Sequence, residues 1–98
     1  MENSTTCQFT AQRFLEDDGS ITLSLNEIDL IENGENEREA RLKLANAILE
    51  YSREYSRDYA TYSKSHNRKR HVPYIFQAQN IDNPEELVNM IIYPDVND

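Results

Sequence analysis

The sequence contains few residues that could carry out covalent catalysis, and none has the neighbours that such chemistry needs. Cys7 is the single cysteine and lies in a polar N-terminal segment, where no neighbouring base or cation would lower its pKa. A serine, threonine or cysteine nucleophile requires an adjacent base and a third group that orients that base. No glycine-rich phosphate loop occurs in the chain. We therefore expect a protein that is not an enzyme and that uses no cofactor.

The two histidines, His66 and His71, are the only imidazole ligands available for a transition metal. They flank a loop five residues apart without an adjacent carboxylate, and the chain has neither a cysteine pair nor a His-Glu-x-x-His motif. Acidic pairs at 17–18 and 85–86 lie at a predicted turn and a predicted helix start, where solvation and the helix dipole account for them. The sequence predicts no metal site.

Composition and charge narrow the class of protein further. The chain has 98 residues, of which 38% are hydrophobic and 29% charged, as expected for one small globular domain. Its net charge of −8 argues against general nucleic-acid binding and is compatible with a basic protein partner. Because no apolar run could cross a bilayer and no signal peptide is present, we expect a cytoplasmic protein without membrane contact. We expect flexible ends at residues 1–8 and 94–98 and a single α+β domain over residues 9–93.

Period-two alternation of apolar and polar residues predicts an antiparallel β-meander in the first third of the chain. Residues 8–15 are predicted as one strand, the Asp-Gly pair at 18–19 as a tight turn, and residues 21–25 as a second strand. Residues 28–32 are predicted as a short third strand. Residues 72–79 also alternate and predict a fourth strand, with its proline at the start or on an edge.

Two helices are predicted, and the first is long. Asn36 opens a capping box, and apolar or aromatic side chains then recur every three or four residues. No glycine or proline interrupts residues 36–63, so this helix would extend about 40 Å. We expect its C-terminal part to overhang, to bend back, or to pack against another chain. A short helix begins at Pro84 after the Asn83 cap. The predicted fold is an antiparallel β-meander packed on one long helix, in the order β-β-β-α-β-α.

Four tyrosines lie on one face of the second half of the predicted long helix, at positions 51, 55, 59 and 62. Tyrosine suits the edge of a small core, because its ring is apolar while its hydroxyl can stay hydrated. It is also enriched in protein interfaces. Both interpretations stay open, with Tyr51 and Tyr55 expected in the core and Tyr59 and Tyr62 on a contact surface for a second polypeptide.

Residues 64–71 form a predicted basic loop that contains two lysines and two arginines. Positive charges after a helix offset the negative C-terminal end of its dipole, and most such runs are simply solvated. RNA contact is an alternative, because the loop and its neighbours mix cations with aromatic rings. The acidic remainder of the chain favours anchoring of an acidic segment of a protein partner over RNA binding.

The residues in and after this loop resemble those of a known family. The dipeptide at 62–63 (Tyr-Ser), the dipeptide at 67–68 (Asn-Arg) and the sequence His-Val-Pro-Tyr at 71–74 are similar to a pattern of Phd/YefM-like bacterial antitoxins. The likeness extends over residues 9–92, and members of that family are partners of RelE-type toxins in RelE/RelB-type systems. The β-β-β-α opening also resembles small antitoxins of the HicB type.

The resemblance implies a protein that binds and neutralises a toxin, commonly a basic ribonuclease encoded beside it. Such antitoxins often carry a DNA-binding part, but no helix-turn-helix or ribbon-helix-helix segment is found here, and DNA binding is not carried over. We expect a homodimer that binds a cognate toxin. A homo-oligomeric structural module and an RNA-contacting accessory domain are the alternatives. The predicted partner-binding residues are Tyr59, Tyr62, Asn67, Arg68, His71 and Tyr74.

Overall fold

The sheet and helices follow the predicted α+β class but not the predicted order. The structure, a computed structural model, describes residues 8–94, so Cys7 and nearly all of both predicted flexible ends lie outside the described residues. The strands are β1 (Phe9–Leu15), β2 (Ile21–Leu25), β3 (Ile31–Gly34) and β4 (Ile91–Ile92). The helices are α1 (Glu37–Arg57), α2 (Tyr59–Lys64), a 3₁₀ turn (Lys69–His71), α3 (Val72–Gln79) and α4 (Pro84–Met90).

The first three strands form the predicted antiparallel meander. β1 pairs with β2, which pairs with β3, and Gly19 makes the first turn with a positive φ of 89°. Alternation places every second side chain of β2, from Ile21 to Leu25, in the core. β3 begins three residues later than predicted, because Ile28 is buried in the preceding loop rather than in a strand.

The sheet is mixed, which corrects the prediction of a purely antiparallel sheet. β4 pairs in parallel with the start of β1, through Phe9 with Ile91 and Thr10 with Ile92, and the strand order is β3-β2-β1-β4. Ile91 ends α4 in an extended conformation and is buried beside β1. A strand of two residues is too short to show alternation in the sequence.

The predicted fourth strand at residues 72–79 is wrong, because these residues form α3. Ile75 and Ala78 are buried, and their spacing of three residues follows the helical period. Pro73 lies in the first turn, where its missing N–H removes no helical hydrogen bond. The alternation of apolar residues is therefore misleading, since a strand would place Phe76 and Ala78 on one face, whereas Phe76 is 52% exposed and Ala78 is buried.

The prediction of one long helix is also wrong, since α1 ends at Arg57 after 21 residues, about 32 Å. Asp58 leaves the helical conformation, with φ −126° and ψ 47°, and its N–H still donates to the Glu54 carbonyl. The Asp58 carbonyl then accepts from Tyr62 N and starts α2. The C-terminal part of the predicted helix was expected to overhang, to bend back or to pack against another chain, and in the structure it bends back. The bend brings Tyr62 against Tyr55, a ring that a straight helix would place about 10 Å away along its axis.

Side-chain caps define the start of α1 and α4, as predicted. Asn36 Oδ1 accepts from Glu39 N at 2.9 Å, and Asn83 Oδ1 accepts from Glu85 N at 2.8 Å. α1 packs on β2 and β3 and also contacts α3 and α4, so it lies at the centre of the core. Among residues 8–94, no helix combines the length and apolar character needed to cross a membrane.

Candidate partner-binding surface

Five side chains meet where α2 folds back onto α1, and we call them the aromatic cluster: Tyr51, Tyr55, Tyr62, Arg68 and His71. The ring centroids of Tyr55 and Tyr62 lie 5.2 Å apart in an edge-on arrangement, and those of Tyr51 and Tyr62 lie 6.4 Å apart in a stacked one. The Arg68 guanidinium lies 4.7 Å from the Tyr62 ring centre. Aromatic and cation–π contacts of this kind stabilise the fold beyond the area that they bury. The cluster therefore holds α2 and the basic loop against α1.

Two hydrogen bonds orient the aromatic cluster. The Tyr55 hydroxyl donates to the Arg68 carbonyl at 2.7 Å, and the Tyr51 hydroxyl lies 2.8 Å from His71 Nδ1. Burial raises the pKa of both tyrosines, so their hydroxyls stay protonated. Burial, together with the charge of Arg70, lowers the pKa of His71. His71 is therefore a neutral ring near pH 7, and its Nε2 has no partner among the described residues.

Two aromatic rings next to this cluster remain accessible, and we call Tyr59 and Phe76 the exposed pair. Their centroids lie 6.1 Å apart in a stacked arrangement, yet the residues are 41% and 52% exposed. Tyr59 also contacts Tyr55 at 6.1 Å, so the exposed pair continues the aromatic cluster to the surface. Phe76 is not among the predicted partner-binding residues, because the alternation at 72–79 predicts a strand there. The helical spacing of Ile75 and Ala78 would have placed it on the outer side of α3.

A cleft of about 220 Å³ opens beside the aromatic cluster, between the basic loop and the loop before β3. Asn67 and Asp29 contribute polar groups to it, and Leu30 contributes an apolar surface. The cleft is smaller than most ligand pockets and is large enough for one side chain of a partner. Within the described part of the chain, no group of three or more His, Cys, Asp or Glu side chains could hold a metal ion.

The basic loop is partly built into the fold. The Arg68 guanidinium lies over Tyr62, and the Arg70 guanidinium lies 3.9 Å from the Asp29 carboxylate. These intramolecular contacts engage two of the four loop cations that an RNA-binding interpretation would require to be available.

The structure brings most of the six predicted partner-binding residues to one end of the molecule. Tyr62, Arg68 and His71 belong to the aromatic cluster, Tyr59 to the exposed pair, and Asn67 to the cleft. Tyr74 lies apart, with its ring 5.7 Å from Phe9. His71 is only 3% exposed, so it can position the cluster but has almost no surface for a partner. Tyr59, Asn67 and Arg68 are the exposed members. The part of all six in binding stays a prediction.

The fold and this surface define a small α+β protein with an aromatic face suited to protein contact. The sequence profile of the PHD-like family, described as the antitoxin of RelE/RelB toxin–antitoxin systems, matches residues 4–93. The chain belongs to this antitoxin family. The resemblance to RelE/RelB-type antitoxins seen in residues 62–74 is thereby confirmed, whereas the likeness of the first half to HicB stays a prediction.

A solved structure supports the same assignment. The chain is similar to a crystal structure from Syntrophomonas wolfei subsp. wolfei, described as an antitoxin part of a proposed toxin/antitoxin system, with 32% sequence identity and a TM-score of 0.79. The match covers 88% of this chain and 62% of that one, so this chain spans less than two thirds of its length. No curated protein matches the sequence at a significant level.

Proposed function

We propose that this protein neutralises the toxin of its own toxin–antitoxin system by covering part of the toxin surface, and that this toxin is a basic ribonuclease. Membership of the antitoxin family supports the class of partner. The net charge of −8 supports a basic partner, because opposite potentials accelerate encounter and reject like-charged competitors. Inhibition then comes from occupancy of the toxin and not from a reaction that the antitoxin catalyses.

The main structural support for the proposal is the exposure of the aromatic rings of the exposed pair. Binding hot spots are enriched in aromatic residues that become fully desolvated in the complex. Tyr59 and Phe76 still expose 41% and 52% of their surface, although each is already held by the other ring. Because Tyr59 is also supported by Tyr55, the pair loses little conformational freedom when a partner covers it. The surface is therefore preorganised before the toxin binds.

An acidic groove runs beside the aromatic cluster and supports a basic partner. The groove has a volume of about 510 Å³ and lies between β3 and the outer side of α1. Glu32, Glu50 and Glu54 line it, and Tyr51 contributes part of its wall. Arg57 is the one cation among its lining residues. We expect lysines or arginines of the toxin to lie along this groove while an apolar part of the toxin covers the exposed pair.

Co-expression with the small basic protein encoded beside this gene tests the proposal. The unaltered chain should rescue growth and co-purify with that protein. The double variant Tyr59→Ala/Phe76→Ala should weaken the complex about 100-fold or more, since each hot-spot truncation costs about 1–2 kcal/mol or more. Leu15→Ala removes a side chain that is 68% exposed on β1 and serves as the control, with binding unchanged. Circular dichroism must show that all variants are folded.

Either of two results would contradict the proposal. A folded double variant that still binds with full affinity would remove the exposed pair from the interface. Failure of the unaltered chain to bind or neutralise any adjacent basic protein would remove the toxin-binding function itself.

A homodimer is the second candidate, and the outer face of the sheet favours it. Residues of the strands that alternate away from the core carry no ionisable side chain, and they are Thr10, Gln12, Phe14, Thr22, Ser24, Ile31, Asn33 and Ile92. Three of them are large exposed hydrophobics. Glu27 accepts a hydrogen bond from Thr10 N at 2.8 Å, so one carboxylate lies beside this face, and a second copy of this acidic chain can approach the face with few carboxylates brought together. Sedimentation should show a dimer that Phe14→Asp/Ile31→Asp dissociates, and a monomer at every concentration of the unaltered chain would contradict it.

A further inference from the structure

A second cleft, of about 530 Å³, lies between β1, the first part of α1 and α4. We call it the arginine cleft, because Arg13, Arg38 and Arg41 all line it. It shares no lining residue with the aromatic cluster, the exposed pair or the acidic groove. Its chemistry is therefore separate from the proposed toxin-binding surface.

The arginine cleft has a positive charge in a strongly acidic protein. Three guanidinium groups face two carboxylates, those of Glu37 and Glu85, which leaves a formal charge of +1 in a chain of −8. Glu37 accepts a hydrogen bond from Arg13 Nε at 2.9 Å and a second bond from Arg41. Burial acts to raise the pKa of Glu37, but Arg41 and Arg13 together outweigh burial and lower it. Glu37 is therefore a carboxylate that neutralises only part of the arginine charge.

The arginines also retain donors that the described residues do not use. A guanidinium has five N–H groups, and Arg41 Nε is buried without any acceptor among residues 8–94. Arg38 donates to Glu85 at 2.8 Å, but these side chains are 73% and 50% exposed. An exposed ion pair of this kind is weak and exchanges readily for another anion. The cleft therefore has more guanidinium N–H donors than its own carboxylates use. The Arg38 side chain can exchange Glu85 for another acceptor.

We propose that the arginine cleft binds a small oxyanion, a phosphate or carboxylate group, through Arg13, Arg38 and Arg41. The planar guanidinium fork matches two oxygens of either group. Arg41 is already oriented, because its guanidinium lies 4.4 Å from the Tyr93 ring centre and bonds to Glu37. Arg38 contacts the anion after its ion pair with Glu85 breaks. The apolar side chains of Leu42 and Val88 supply a surface for the organic part of an organic phosphate.

Titration of the full chain at low ionic strength tests the site, with inorganic phosphate, adenosine monophosphate and citrate as separate probes. NMR should show saturable shifts of the Arg41 Nε–H and of backbone amides around the cleft. Tighter binding of adenosine monophosphate than of phosphate identifies an organic phosphate as the ligand class, and tighter binding of citrate identifies a carboxylate.

Variants with matched controls distinguish a specific anion site in the cleft from a general effect of the protein's net charge. Glu85→Gln releases Arg38 and should tighten binding about two- to fivefold, whereas Arg38→Gln should weaken it by a similar factor. Glu16→Gln and Arg53→Gln make the same charge changes at exposed positions outside the cleft and should leave binding nearly unchanged. Shifts that are absent or that never saturate would overturn the proposal. Equal effects of Glu85→Gln and Glu16→Gln would also overturn it. Failure of the toxin-binding function would not affect this result, because the isolated chain is measured.

Discussion

The hydroxyl of Tyr55 ties the basic loop to α1, and its removal should destabilise the protein by a measurable amount. The side chain is fully buried, and its hydroxyl donates to the Arg68 carbonyl at 2.7 Å. Tyr55→Phe keeps the ring and its edge-on contact with Tyr62, so the variant removes the hydrogen bond alone. An intramolecular hydrogen bond contributes a net 0.5–1.5 kcal/mol, roughly, and the Arg68 carbonyl is left without this donor. We expect the free energy of unfolding to fall by about 1–1.5 kcal/mol.

Urea unfolding followed by circular dichroism measures this loss, and the m-value should not change because the exposed surface is the same. For a domain of this length, a loss of 1 kcal/mol lowers the Tm by about 4–8 °C. Tyr59→Phe is the matched control, because it makes the same chemical change on a ring that is 41% exposed. We expect it to alter stability by less than about 0.5 kcal/mol. Equal losses in the two variants would refute the inference that the Tyr55 hydroxyl couples the loop to the helix.

Two further predictions concern His71 and the glycines. Because burial lowers the pKa of His71 from its usual 6.5, the unfolded chain binds the proton more readily, and stability should fall as the pH drops below that value. His71→Gln should reduce this pH dependence; equal slopes for the unaltered chain and His71→Gln, in urea unfolding measured across this pH range, would contradict the assignment. A Cβ at Gly34 would lie 2.3 Å from Ala40 N, so Gly34→Ala should cost about 3 kcal/mol. Gly19→Ala has open space at φ +89° and should cost only about 1–2 kcal/mol, and unfolding midpoints that rank the two oppositely would show that the contact relaxes.

Local sequence signals were sufficient where neighbouring residues decide the structure. The alternation at 21–25 predicted β2, and the caps Asn36 and Asn83 predicted the starts of α1 and α4. Each of these features depends on a few consecutive residues and on the periodicity of their side chains. The family resemblance in residues 62–74 was also readable without coordinates, because it depends on residue identity.

The same local signals failed where distant segments compete for a place in the core. Residues 72–79 alternate like a strand, yet they form α3, because a helix here buries Ile75 and Ala78 against the rest of the core. The chain bends at Asp58 although no glycine or proline interrupts it, since the bend lets Tyr62 pack on rings from the preceding helix. Neither outcome could follow from propensity, because the contacts involved link residues that are far apart in the sequence or in different elements.

For the binding surface, the sequence predicted Tyr51 and Tyr55 in the core and Tyr59 and Tyr62 on a contact surface. In the structure Tyr55 is fully buried and Tyr59 is exposed, but packing half-buries Tyr62 and places Phe76 beside Tyr59 at the surface. Periodicity assigns a side chain to one face of a helix, but it does not say what covers that face. Here the second layer, formed by α2 and α3, determines which aromatic side chains stay accessible, because the burial of a side chain depends on every segment that packs around it.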